Sequence, residues 1–236
     1  MNGKIIVPNV QFVVKNYLIN TIMSNFINKI KKFQNKVDIY YIVIDSNFET
    51  NMYNIISEYC NENDTEYINN FINTNDKLSH LGSIVLQKFF VNLFKPLDNL
   101  KEIKIKKDQH NKPYIDNMKY NYNISHDKNI IVGVFSKKPI GIDIMQDNLE
   151  TLNRINTIDH LFYDCEKNIN YICLWTILEG YLKAVGKGFI DFENRNFKIT
   201  KSGNNFNIIN GKKNTIMNDK LFIEKKYYYI SVIILE

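Results

Sequence analysis

The chain has 236 residues, 44% of them hydrophobic and 13% aromatic, which is enough to fill one large core or two small ones and too apolar for a disordered chain. Its 30 Lys and Arg against 25 Asp and Glu give a formal charge of +5, a mild bias toward anionic partners that falls far short of a nucleic-acid coat. Cys60, Cys165 and Cys173 have neither zinc nor disulfide-framework spacing and are expected as reduced, buried thiols in a cytoplasmic protein. The apolar run from Ile5 is interrupted by Asn9 and Gln11 with no small-residue cleavage site after it, so no signal peptide is expected. No stretch approaches about 18 uninterrupted apolar residues, so neither a membrane-spanning helix nor a membrane partner is expected.

In chain order, Tyr17, Leu18, Ile22, Phe26, Ile27 and Ile30 lie at helical spacing and predict a helix over 13–33, ending in Lys29, Lys31 and Lys32. A strand is predicted at 37–44. Residues 45–76 are Asn-rich with weak helical spacing and read as a surface excursion within a domain. An amphipathic helix is predicted over 79–94. Ile103 and Ile105 alternate with Glu102, Lys104 and Lys106, predicting a half-buried strand whose wet face carries Lys101, Lys104, Lys106 and Lys107. Asn111–Ile115 is extended because Pro113 bars its predecessor from the helical region. Strands at 129–135 and 140–145 are joined by Ser136-Lys137-Lys138-Pro139, read as a hairpin turn. Helices at 151–162 and 170–185 follow, then a strand-like tail over 197–234. The order is mixed α+β without a short repeat.

Alternation in the strand 140–145 puts Ile140, Ile142 and Ile144 on one face and Gly141, Asp143 and Met145 on the other. An aspartate in so apolar a strand needs compensation, from a bound cation, a buried hydrogen-bond network or an edge position open to solvent. Along the helix from Asn170, the residues Tyr171, Leu174, Trp175, Leu178, Leu182 and Val185 form an apolar stripe. Glu179 and Lys183 run along its edge, either as a cleft rim or as an ordinary i,i+4 pair. Gly186 and Gly188 read as a C-cap. His126, beside a strand, fits a structural role as well as a catalytic one.

Taken in order, these residues resemble the Sfp-type 4′-phosphopantetheinyl transferase family over about Asp108–Phe192. Lys112-Pro113 matches its Gly-Lys-Pro element, Tyr122-Asn123-Ile124-Ser125-His126 its Phe-Asn-hydrophobic-Ser-His, and Gly141-Ile142-Asp143-Ile144 its Gly-hydrophobic-Asp-hydrophobic motif. Leu161-Phe162 with Glu166 resembles its Phe-Phe-x-x-x-Glu segment more loosely. Trp175, Glu179, Lys183-Ala184 and Gly186-Lys187-Gly188 resemble its Trp-x-x-Lys-Glu-x-x-x-Lys-x-x-Gly-x-Gly. The resemblance implies transfer of the phosphopantetheine arm of coenzyme A to a serine of an apo carrier protein (an acyl, peptidyl or aryl carrier domain), releasing 3′,5′-ADP. Asp143 and Glu179 would hold Mg2+ together with the pyrophosphate. Lys183 would contact the pyrophosphate and Glu179 would orient or deprotonate the serine. Ser125 and His126 would bind nucleotide phosphates, His126 the 3′-phosphate. Lys107, Lys112 and Pro113 would line the adenine end. Catalytic roles thus fall on Glu179, Lys183 and His126.

The implied fold is two pseudo-symmetric α/β lobes in one monomeric chain, 1–139 and 140–236, with the boundary near Pro139. Carrier choice would lie on a docking surface near Thr157–Cys173. The chain departs from the family at Met145, where many members place a third acid, and at Leu178, where they place a lysine. Gly180 costs roughly 1 kcal/mol of helix propensity relative to alanine. The arginine usual near Leu81-Gly82 is missing, with Lys77 or Lys88 as substitutes. Two other readings stand beside this one: a catalytically impaired relative that binds coenzyme A or a carrier, and an RNA-binding protein using lysines and tyrosines. No motif supports the second, and no nucleic-acid partner is expected.

Overall fold

The computed structural model describes residues 25–95, 97, 99–109, 112–116, 118–156, 169–186, 198–203, 205–209 and 211–236. The expected helical start at 13–24, the Leu161-Phe162-Glu166 segment, most of the docking surface at 157–173, Cys165, and Lys187 with Gly188 lie outside these. The chain divides into two compact units, one built on Ile42–Lys104 and the other on Lys29–Tyr41 with Ile105–Glu236.

In the first unit the Asn-rich stretch is more ordered than its composition suggests. It forms α1 (Ser46–Thr50), α2 (Met52–Tyr59) and α3 (Glu62–Asn69), followed by α4 (Thr74–Phe94). Asp45 and Asn73 accept hydrogen bonds from first-turn amides, and Asn61 with Asp64 makes a full capping box. Phe48, Ile55, Tyr59 and Ile68 are buried, so these short helices carry core residues behind a polar surface. Lys88 on α4 is fully buried and donates to Asp64 Oδ2 and to the Tyr59 carbonyl, both at 2.6 Å. Ile103 is buried, but the predicted strand there shrinks to a 3-10 turn at Leu100–Glu102 and the two-residue β3 (Lys106–Lys107), which pairs with β4 (Pro113–Tyr114).

The predicted helix over 13–33 gives way, in its described part, to strand β1 (Ile27–Phe33), which neighbours β2 (Val37–Val43). Cross-strand partners override the local period: Lys29 pairs with Asp38 at 2.6 Å and lies over the Tyr40 ring, while Lys32, Gln34 and Asn35 turn the chain with positive φ. The second unit holds a four-stranded sheet of order β1-β2-β6-β5, with β5 (Asn121–Asp127) antiparallel to β6 (Ile130–Ser136). A three-stranded sheet has the order β10-β11-β7, built from β7 (Ile140–Gln146), β10 (Asn214–Ile223) and β11 (Lys226–Leu235). A further hairpin joins β8 (Lys198–Ser202) to β9 (Asn205–Ile209).

The Ser136–Pro139 turn therefore does not close a hairpin: β6 pairs with β5, whereas β7 pairs with β11. Pro139 has no N–H to donate to a ladder, and its carbonyl accepts from Leu235, which leads the chain onto β11.

Helices α5 (Leu149–Asn156) and α6 (Tyr171–Val185) complete the described elements of this unit. Asn170 caps α6 by accepting from the amides of Ile172 and Cys173, and Gly186 ends it in the left-handed conformation at φ 75°. The helix packs on β7 and β11 through a glycine contact. A Cβ on Gly141 would lie 2.0 Å from the Gly180 carbonyl oxygen and 2.5 Å from the Ala184 nitrogen, and one on Gly180 would lie 2.5 Å from Ile233 Cδ1. The propensity cost of Gly180 thus permits a close approach of helix and sheet.

Gly141→Ala is expected to lose about 2 kcal/mol in urea unfolding, because the clash is with backbone that must shift. An unchanged midpoint would contradict the close approach.

Candidate active site

Asp143 is 5% exposed in the middle of β7. Its Oδ1 accepts from Ser125 Oγ at 2.7 Å and from Lys183 Nζ at 2.7 Å, and the same ammonium donates to Ser125 Oγ at 2.9 Å. The buried carboxylate is thus compensated by a hydrogen-bond network that includes the chain's own cation. Lys183 keeps 28% of its side chain exposed, so the ion pair is dry on the strand side and open on the helix side.

The strand β5 reaches β7 through side chains, since the two belong to different sheets. Asn123 Oδ1 accepts from the Ile142 amide at 2.9 Å and Asp127 Oδ2 accepts from the Gln146 amide at 2.6 Å, bracketing the Ser125–Asp143 contact. Sequence reasoning missed this role for Asn123 and Asp127. The available signal was a period-two polar face, Asn123-Ser125-Asp127, in an otherwise apolar strand pair.

On α6 the buried surface is wider than a single stripe. Ile172, Cys173, Thr176, Ile177, Tyr181 and Ala184 are buried as well, while Tyr171 is 39% exposed. The less buried line is Tyr171, Trp175, Glu179 and Lys183, one residue per turn. Leu178 is fully buried in the apolar cluster with Met145. Burial raises the Glu179 carboxyl above its ordinary 4.5, the Asp143 charge pushes the same way, and Lys183 opposes both.

Lys112 Nζ donates to the Lys183 carbonyl at 2.7 Å, satisfying an acceptor in the last turn of α6. Burial pulls its ammonium below the ordinary value against the opposing charge of Asp108. Lys112 and Pro113 line a cavity of about 730 Å³ beside the end of α6, whose wall also includes Tyr114, Tyr120, Tyr122 and Gly186. Lys107 is exposed opposite Pro113 in the β3–β4 ladder. His126 follows Ser125 on β5 but is exposed on the opposite face of the strand. The structure therefore gathers Ser125, Asp143 and Lys183 in direct contact, joins Lys112 to the lysine's backbone, and leaves Lys107 and His126 on exposed positions. Lys88 is already committed to Asp64, so it is withdrawn as a substitute for the missing arginine. Among the described residues no three His, Cys, Asp or Glu side chains cluster as a metal site, and Met145 is buried among apolar neighbours where a third acid would stand.

A model of the family described as "4′-phosphopantetheinyl transferase, N-terminal" matches residues 48–138. The 4′-phosphopantetheinyl transferase Gsp of Aneurinibacillus migulanus is 24% identical over 165 residues, covering 64% of this chain and 67% of that protein. The mixed α+β fold is consistent with these likenesses, and both point to a transferase. Both likenesses are to 4′-phosphopantetheinyl transferases, the same family whose Sfp-type motifs the sequence resembles. Among the described residues no helix is long and apolar enough to cross a membrane.

Lys183→Met strands a buried carboxylate and is expected to cost about 3 kcal/mol in chemical denaturation, much of it recovered by adding Asp143→Asn. Additive losses in that double-mutant cycle would contradict the coupling. Glu179 has a raised folded pKa, so its contribution to stability is most favourable below the unfolded value and is lost as pH rises through the folded one. Glu179→Gln is therefore expected to melt above the parent at pH 7, with the gap closing as pH falls toward 4.5. A gap independent of pH would contradict the desolvated charge.

Proposed function

We propose that the protein transfers the 4′-phosphopantetheine moiety of coenzyme A to a serine of an apo acyl, peptidyl or aryl carrier domain, releasing 3′,5′-ADP, with Mg2+. The observation that carries this reading is the Ser125–Asp143–Lys183 contact with the desolvated Glu179 beside it, next to the cavity at the end of α6.

The donor set suits Mg2+. Asp143 and Glu179 supply two carboxylates, a number suited to an ion that takes its remaining oxygens from substrate phosphates and water. The upward pull on Glu179 comes first from burial, which Lys183 offsets only in part, so a cation held beside it would stabilise the desolvated carboxylate. When bound, the ion would neutralise pyrophosphate charge and stabilise the departing 3′,5′-ADP.

Lys183 has its ammonium at the open side of the pair and would turn from Asp143 to the pyrophosphate, an anion of higher charge. Ser125 would then donate to a phosphate oxygen, and His126 would meet the 3′-phosphate. The apolar and aromatic wall near Lys112 and Pro113 suits the adenine ring, and Lys107, the ladder partner of Pro113, would meet a phosphate there. Glu179, whose pKa is moved toward the working pH, would accept the proton of the carrier serine as its oxygen attacks the phosphorus bearing the pantetheine arm. The bond from that phosphorus to the bridging oxygen breaks, and 3′,5′-ADP leaves. The division into lobes 1–139 and 140–236 belongs to this reading, as do a monomeric chain and cytoplasmic location.

Intact-protein mass spectrometry of apo carrier domains incubated with coenzyme A and Mg2+ tests it. A phosphopantetheine mass gain is expected with the parent, with a loss of at least about 100-fold in rate for Asp143→Ala. Coenzyme A binding without any mass gain would instead favour the catalytically impaired relative.

A further inference from the structure

Two turns before Lys183, α6 carries a buried polar ring that the site described above does not use. Cys173 Sγ donates to Asn218 Oδ1 at 3.2 Å, and Asn218 Nδ2 donates to Ser231 Oγ at 2.7 Å. Ser231 Oγ lies 2.7 Å from Thr176 Oγ1, which in turn donates to the Cys173 carbonyl at 2.9 Å. The single hydroxyl proton of Thr176 is spent on that carbonyl, so the Ser231 hydroxyl donates to Thr176. The ring begins and ends on Cys173 with every donor directed. Thr176 and Ser231 are fully buried.

The place of the ring gives it a role. Ser231 stands directly opposite Asp143 in the β11–β7 register, so the two side chains share the sheet face that α6 covers. The helix is pressed onto this face at Gly141 and Gly180, a contact of shape that fixes distance but not rotation. Rotation is fixed by directional bonds. Two side-chain hydrogen bonds tie α6 to the β7–β11 pair on either side of this contact, one between Ser231 and Thr176 before it and one from Lys183 to Asp143 after it. Glu179 lies between them, three residues past Thr176 and four before Lys183. If Lys183 leaves Asp143 for a substrate anion, the hydroxyl pair is the tie of the two that persists.

We propose that Thr176 and Ser231 are positioning residues that fix the rotation of α6 on the sheet and thereby aim Glu179, above all once Lys183 has turned to substrate. This proposal rests on the transfer reading for its ligands. It differs from a stabilising role in being felt more by the loaded protein than by the free one.

The test is calorimetric titration of Mn2+, standing in for Mg2+, into the full chain saturated with coenzyme A, comparing the parent with Thr176→Val, Thr176→Ser and Ser231→Ala. Thr176→Val and Ser231→Ala are expected to weaken Mn2+ binding about 10-fold, as loss of a group that orients a ligand does, and Thr176→Ser is expected to keep it. Mn2+ affinity equal to the parent in a folded Thr176→Val protein, with only the melting temperature lowered, would overturn the proposal. A parent that binds neither Mn2+ nor coenzyme A would overturn the transfer reading instead. In that event deuterium exchange of the free protein decides the ring: faster exchange in Thr176→Val over residues 177–183, restored in Thr176→Ser, keeps the positioning role, and unchanged exchange overturns it.

Discussion

A carboxylate held away from water in the middle of an apolar strand is the constraint around which the second unit is built. A buried Asp143 needs both a counter-charge and hydrogen-bond donors, because desolvation of a lone charge there would cost several kcal/mol. The surrounding residues answer both demands. Ser125 and Lys183 reach it from β5 and α6, and each of those elements is drawn in by a separate device. On the β5 side Asn123 and Asp127 seize amides of β7, replacing a backbone ladder between the two sheets with side-chain bonds. On the α6 side paired glycines remove the Cβ atoms that would hold helix and strand apart.

The same geometry sets a tension between stability and chemistry. Lys183 stabilises the free protein by pairing with Asp143, yet a lysine fixed in an ion pair cannot also grip an incoming anion. Under the proposed transfer its partial exposure would resolve this, because the ammonium could exchange a buried partner for one arriving from the open side. Glu179 shows the complementary compromise. It is desolvated beside another carboxylate, which costs stability at neutral pH but leaves a carboxylate with a pKa moved toward the range where proton transfer is efficient.

Much of this was legible in the sequence where local pattern and tertiary need agree. The strands over Ile130–Ser136 and Ile140–Gln146, the helix from Asn170 and its glycine cap all follow from alternation, helical spacing and capping chemistry, whereas β5 over Asn121–Asp127 is not predicted by its local pattern. The family motifs named Ser125, Asp143 and Lys183, which the structure joins, and Glu179 on the same helix line. Failures occurred where partners distant in sequence decide. The segment ending at Phe33 has helical spacing, but Lys29 finds Asp38 and Tyr40 across a hairpin. The Ser136–Pro139 turn reads as a hairpin only until Pro139 hands the chain to β11. Gly180 looks like a defect in a helix until Gly141 is placed beneath it, and Lys88 looks like a spare cation until Asp64 claims it. The Asn123 and Asp127 contacts, and the ring through Thr176 and Ser231, involve side chains whose partners no local period can identify.

The most direct test of the account is a crystal structure of the protein grown with coenzyme A and Mn2+, with the metal located by its anomalous signal. The account predicts that the Mn2+ would be held by Asp143 and Glu179, with Lys183 Nζ moved from Asp143 to a phosphate oxygen. Coenzyme A bound with the Asp143–Lys183 pair still closed and the metal elsewhere would contradict it.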